Sequence, residues 1–260
     1  MPLSLVTCLA ENTQPLSKAI SLYLSQRLGI PVFFQETLGY EEQKLGLLTG
    51  DIELGFMCGL LYTQLKDKQS ARCQPLVAPV SLSVQDKMPS YYSYVIVKKD
   101  SPYQHFADLE HSCFCINQQE SFSGYQIVRY HLASLDKANR YFSKVIESGS
   151  HMKSIQNILL GQADSAAIDH TLFEYWSKKN LENARALRVI ARLGPFPMPP
   201  LVISETVPEQ LKQTLRKALL EMPSNLLKDF DFLEFQTVND QSYDPIREAA
   251  RLGARVRLAL

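Results

Sequence analysis

The chain carries no surplus charge of either sign. Its 27 Lys and Arg balance 27 Asp and Glu over 260 residues. That leaves no broad basic footprint for nucleic acid. No apolar run approaches the ~20 residues a membrane-spanning helix needs. The opening residues, Met1-Pro2-Leu3-Ser4-Leu5-Val6-Thr7-Cys8, hold neither a basic segment nor a long apolar core, so they do not read as a signal peptide. A native start at Met1 would mean the cytoplasm, and a removed leader would mean export. Cysteine is sparse and odd in number: Cys8, Cys58, Cys73, Cys113 and Cys115. This scatter excludes a closed disulfide framework. Cys113 and Cys115 stand two apart on one face of a predicted strand, yet nothing supplies the second half of a zinc site. Buried thiols packing as small hydrophobes are the simpler reading. Internal repeats, low-complexity segments and cofactor fingerprints are also missing.

What is present is ordinary globular composition, 45% hydrophobic and 21% charged. The length suits one large domain or two of common size. Short apolar runs alternate with helical patterns. Leu3 to Leu9 reads as a strand. Pro15 to Leu28 reads as a helix, with Leu16, Ala19, Ile20, Tyr23, Leu24 and Leu28 at three-to-four spacing and a stop at Gly29. A strand over 31–36, a helix over 40–48 and a strand over 52–57 complete a β-α-β-α-β series, the mark of a parallel sheet flanked by helices.

A second series begins near Tyr91. Strands are expected at 94–97, 113–117, 142–147, 165–169 and 187–192, with helices at 124–135, 151–160 and 172–179. Four prolines within Pro195–Pro200 then force an extended path. A strand over 201–204, a helix over 208–221, a strand over 232–238 and a helix over 245–256 finish the chain. Two series joined by extended segments near 76–97 and 187–204 predict two lobes. The first takes residues 1–90 plus 191–260, and the second takes 91–190.

The most informative stretch is Glu120-Ser121-Phe122-Ser123-Gly124-Tyr125, between a predicted strand and a predicted helix. Two hydroxyls flank Phe122 where a helix N-terminus offers free N–H groups and partial positive charge, a setting for an anion. Ser is also a preferred N-cap, so a cap without a ligand fits the same residues. Ligands of open α/β sheets sit at the carboxyl ends of strands, where this turn lies.

These residues bear a family resemblance. Tyr91-Tyr92-Ser93-Tyr94-Val95-Ile96-Val97-Lys98-Lys99-Asp100-Ser101-Pro102, Phe106-Ala107-Asp108-Leu109, Ser121–Tyr125, Glu147-Ser148-Gly149-Ser150-His151 and Gly161–Asp169 follow one another in order. With the proline-rich return, they resemble the phosphate/phosphite/phosphonate-binding proteins of ABC importers. The resemblance spans roughly residues 1–205. It implies an α/β, two-lobed, type 2 periplasmic-binding-protein fold, each lobe a mostly parallel sheet flanked by helices. It also implies a solute-binding protein that closes over a small oxyanion, with no cofactor, an ABC permease as partner and the periplasm as its place.

Carried over residue by residue, Ser121, Ser123, the Gly124 amide and His151 would hold the oxyanion. His151 opens the next predicted helix, so its other reading is a polar cap on a surface turn. Tyr91 matches a hinge-proximal tyrosine that contacts ligand in the family, or is one aromatic of a Tyr-rich strand. Asp169 would orient His151, meet a cationic part of the ligand, or cap the helix after it; the cap fits best. Two segments depart from the family. Met57-Cys58-Gly59 replaces an aromatic and a Gly-Pro pair, and Arg192–Phe196 holds no acid where aminophosphonate binders place one. An aminoalkyl phosphonate therefore fits less well than a simpler phosphonate, an ester or another ligand. The other functions weighed are a cytoplasmic ligand sensor and an enzyme on the same fold, akin to pyrimidine- or menaquinone-pathway proteins.

Overall fold

Leu16, Ile20 and Leu24 recur at every fourth residue, and all three are buried in the computed structural model, which describes residues 2–70, 72–137 and 140–258. That spacing makes one helix face, and burial on the core is what stabilises it. In chain order the elements are β1 (Leu3–Thr7), α1 (Thr13–Leu28), β2 (Val32–Phe34), α2 (Tyr40–Thr49), β3 (Leu54–Phe56), α3 (Gly59–Asp67), β4 (Cys73–Ser81), β5 (Ser90–Lys98), β6 (Cys113–Ile116), α4 (Ile127–Ser134), β7 (Lys144–Glu147), α5 (His151–Leu159), β8 (Ser165–Asp169), α6 (His170–Lys179), α7 (Leu181–Arg185), β9 (Leu187–Pro197), β10 (Leu201–Ser204), α8 (Glu209–Leu220), α9 (Ser224–Lys228), β11 (Phe232–Thr237) and α10 (Asp244–Gly253). Helix α3 has no counterpart in the sequence expectation. No helix among the described residues is long and apolar enough to cross a membrane.

The chain divides into two compact units. The first comprises Met1–Ser90 and Pro197–Asp244. Its sheet runs β11-β4-β10-β3-β1-β2. Strand β1 is parallel to both β2 and β3, whereas β10 and β11 pair antiparallel with their neighbours. The side chains of Leu3, Leu5 and Val6 on β1 are fully buried, as a sheet covered on both faces requires.

The second unit comprises Tyr91–Phe196 and Pro245–Leu260. Its sheet runs β7-β6-β8-β5-β9. Strand β6 is parallel to β7 and β8, and β5 is antiparallel to β8. Phe114, 0% exposed on β6, stacks on Phe142 at 4.4 Å between ring centroids.

One expectation is corrected. The sheets are mixed rather than mostly parallel: in the first unit β10 runs against β3 and β4, and β11 against β4, while in the second β5, the opening strand of its series, runs against β8. Beside the expected 1–90 plus 191–260 and 91–190, the compact units break after Ser90, Phe196 and Asp244. Residues 191–196 stay in β9, beside β5. From Pro245 the tail packs with the second unit, where Gln126 Nε2 donates to Ala250 O at 3.1 Å and Arg129 Nε donates to Val256 O at 2.8 Å.

Candidate functional site

The site of the second unit begins with register. Ile116, the last residue of β6, lies opposite Glu147, the last residue of the parallel β7. Both strands therefore release their chains at one level of the sheet. The ladder continues one step further, with Ser148 N–H donating to Ile116 O at 2.9 Å and Gly149 N–H to Asn117 O at 2.8 Å. Gly149 has φ +88°, which side-chain-bearing residues rarely adopt, so the second chain can turn sharply there. The helices that follow start side by side.

The first opens as one turn of π-helix, Phe122–Gln126, leading into α4. Ser121 caps it twice: its Oγ accepts from Gly124 N–H at 3.1 Å, and its carbonyl accepts from Gln126 N–H at 3.1 Å. The second is α5, whose cap Ser150 accepts from Lys153 N–H at 3.2 Å. Ser148 Oγ donates to Ile116 O at 3.1 Å and lies 2.7 Å from Ser154 Oγ, locking that loop to the strand.

These two openings bring Ser123 Oγ within 2.9 Å of His151 Nε2. Ser123 is 8% and His151 7% exposed, so the pair sits just beneath the surface of its unit. Gly124 completes the cradle from the backbone side. A methyl group there would fall 1.9 Å from Asn117 Oδ1 and 3.1 Å from His151 Cε1. Two helix N-termini, a hydroxyl and an imidazole thus converge, a donor-rich setting for an oxyanion.

The remaining candidates stand as follows. Phe122 is fully buried, with Phe196 4.9 Å and Tyr91 6.5 Å away between centroids. It anchors the turn to the sheet rather than facing solvent. Tyr91 is 2% exposed, on the sheet face that packs against the turn. Asp169 serves as a helix cap: its Oδ1 accepts from Thr171 N–H at 2.8 Å and from Thr171 Oγ1 at 2.7 Å. An Asp169→Ala chain should lose about 1 kcal/mol of stability, the ordinary worth of such a cap, in urea unfolding.

Sequence reasoning missed two supports. Ser93, fully buried on β5, donates through Oγ to Ser123 O at 2.6 Å. Strand alternation places it on the same face as Tyr91, a signal the sequence does contain. Ser93→Ala leaves that carbonyl without this donor, and should cost about 1–3 kcal/mol in the same urea titration. Asn117 is the other, a 7% exposed residue whose Oδ1 covers Gly124. Tyr94 alternates to the opposite face, where its hydroxyl donates to Glu174 Oε1 at 3.0 Å. Burial first, and then the Glu174 charge, push its phenol up to about 12, so it stays a donor at neutral pH.

The two α/β units have the type 2 periplasmic-binding-protein fold. A binding-protein component of an ABC phosphonate transporter from Pseudomonas aeruginosa matches with a TM-score of 0.80 at 20% identity, over 97% of this chain and 86% of that one. PhnD1 from Prochlorococcus marinus, solved with methylphosphonate, matches with a TM-score of 0.82 at 20% identity, over 98% and 99%. The alkanesulfonate-binding protein SsuA from Xanthomonas axonopodis pv. citri, bound to MOPS, matches with a TM-score of 0.65 at 16% identity, over 99% and 94%. At these identities the likeness speaks for the fold. Sequence settles the family: residues 9–243 match the periplasmic substrate-binding proteins of phosphonate ABC transporters, and the chain belongs to that family. It is a family of transport components, not of enzymes.

Proposed function

We propose that this chain binds a small phosphorus oxyanion, a phosphonate, phosphite or phosphate compound, and delivers it to an ABC permease from the periplasm. Ser121, Ser123 and His151 hold the oxyanion, and the Gly124 amide joins them by giving up its 3.1 Å bond to Ser121 Oγ. Tyr91 and Phe122 shape the floor behind it, and Asp169 acts through the helix it caps. The observation that carries this reading is the 2.9 Å approach of Ser123 Oγ to His151 Nε2 where two helices open. Two groups that bond each other without ligand can both turn to a bound anion, and charge-assisted bonds to an oxyanion are stronger than the one given up.

The acid-free segment Arg192–Phe196 supports a simple alkyl phosphonate over an aminoalkyl one. A thermal-shift titration with phosphate, phosphite, methylphosphonate and aminoethylphosphonate tests this. Saturable stabilisation should follow RT ln(1 + [L]/Kd), about 2.7 kcal/mol at a hundredfold excess over Kd. Methylphosphonate should shift the midpoint more than aminoethylphosphonate. No shift with any of the four at millimolar concentration sinks the reading.

A further inference from the structure

We infer that the tail after residue 243 is a strap that sets the geometry of the oxyanion turn, acting through Gln126 and Arg129. This tail lies beyond the residues that match the family, 9–243. It is held on the very helix the turn begins. Gln126, the last residue of the π-turn, is 5% exposed, and its Nε2 donates to Ala250 O at 3.1 Å. Its Oε1 accepts from Arg129 Nη1 at 2.8 Å. Arg129 in turn donates through Nε to Val256 O at 2.8 Å, and its guanidinium lies 5.2 Å from the Tyr125 ring centroid. One bridge therefore links two points of the tail to two residues of the turn.

Packing makes the link tight. Ile246, Ala249 and Gly253 form the buried face of α10. A methyl on Gly253 would fall 2.7 Å from Gln126 Nε2 and 3.1 Å from Tyr130 N. The glycine lets the tail approach the backbone of α4, and any side chain there pushes on Gln126. Gln126 N–H closes the π-turn on Ser121 O, the residue whose hydroxyl also takes the Gly124 amide. Displacing Gln126 therefore moves the group that orients Gly124. Gln126 and Arg129 are positioning residues: they touch the turn, not the ligand.

The experiment uses the full chain with Gln126→Ala and, separately, Gly253→Ala. Amide hydrogen exchange at Gly124 and Gln126 is read without ligand, and the Kd for methylphosphonate is read by calorimetry. Both variants should exchange faster at these two amides, with distant strands unchanged. Affinity should fall by roughly tenfold, the fold-change that the loss of one supporting hydrogen bond corresponds to. Wild-type exchange at the turn in both variants overturns the strap, whatever the melting temperature does. The affinity readout rests on the proposed function, whereas exchange does not. Faster turn exchange in a protein whose wild type ignores every oxyanion would sink the ligand reading and uphold the strap.

Discussion

A Gly124→Ala chain is expected to lose methylphosphonate binding by about 10- to 150-fold, the worth of one hydrogen bond to a charged group. The reason is steric and local. The added methyl would stand 1.9 Å from Asn117 Oδ1 and 2.7 Å from Asn117 Cγ. No contact of that kind survives, so either the Asn117 side chain leaves or the turn moves. Overpacking of this sort also costs about 1–3 kcal/mol of stability. The clash names its own rescue: Asn117→Gly in the same chain removes the obstructing atoms and should restore part of the affinity. Full affinity in Gly124→Ala alone would show that the cradle is not where the ligand sits.

The second large effect concerns the pair that closes the cradle. Ser123→Ala and His151→Ala should each weaken methylphosphonate binding by about 10- to 150-fold, the equivalent of one hydrogen bond to a charged group at about 1.5–3 kcal/mol. Their losses should not add. Ser123 Oγ and His151 Nε2 are 2.9 Å apart, and groups in one network couple by about 0.5–3 kcal/mol. A double-mutant cycle measured by calorimetry reads that coupling directly. Strictly additive losses would mean that the two side chains meet the ligand independently, and no loss from either would remove them from the site.

Much of this architecture could be read from residues alone, because hydrophobic period reports which face of an element is buried. Strands β8 and β10 fall on the expected residues, and α1 begins two residues before the expected Pro15. The turn Ser121–Tyr125 is legible because hydroxyls and glycine are grouped where a strand gives way to a helix. What period cannot report is the partner. The buried face Ile246, Ala249 and Gly253 announces an amphipathic helix but not the surface that covers it, so the sequence does not say which unit the tail joins. Pairing sense is hidden likewise, since a strand looks the same whichever way its neighbour runs. Pro75 and Pro79 in β4 masked a strand that pairs with both β10 and β11. The nine-residue α3 was masked by the Gly59 that opens it. Ser93 and Asn117 escaped because each looks unremarkable until the residue it touches is known.

The strap also fixes an order of events in the life of the chain. Gln126 and Arg129 reach their tail partners across 124 and 127 residues of sequence. Contacts of such separation form late, since the loop between them must first be closed. During synthesis, Tyr91 to Phe196 emerges from the ribosome long before Val256 does. The nascent second unit can pair its strands and bury its aromatics, yet the tail bonds of Gln126 and Arg129 wait for a segment still to be made.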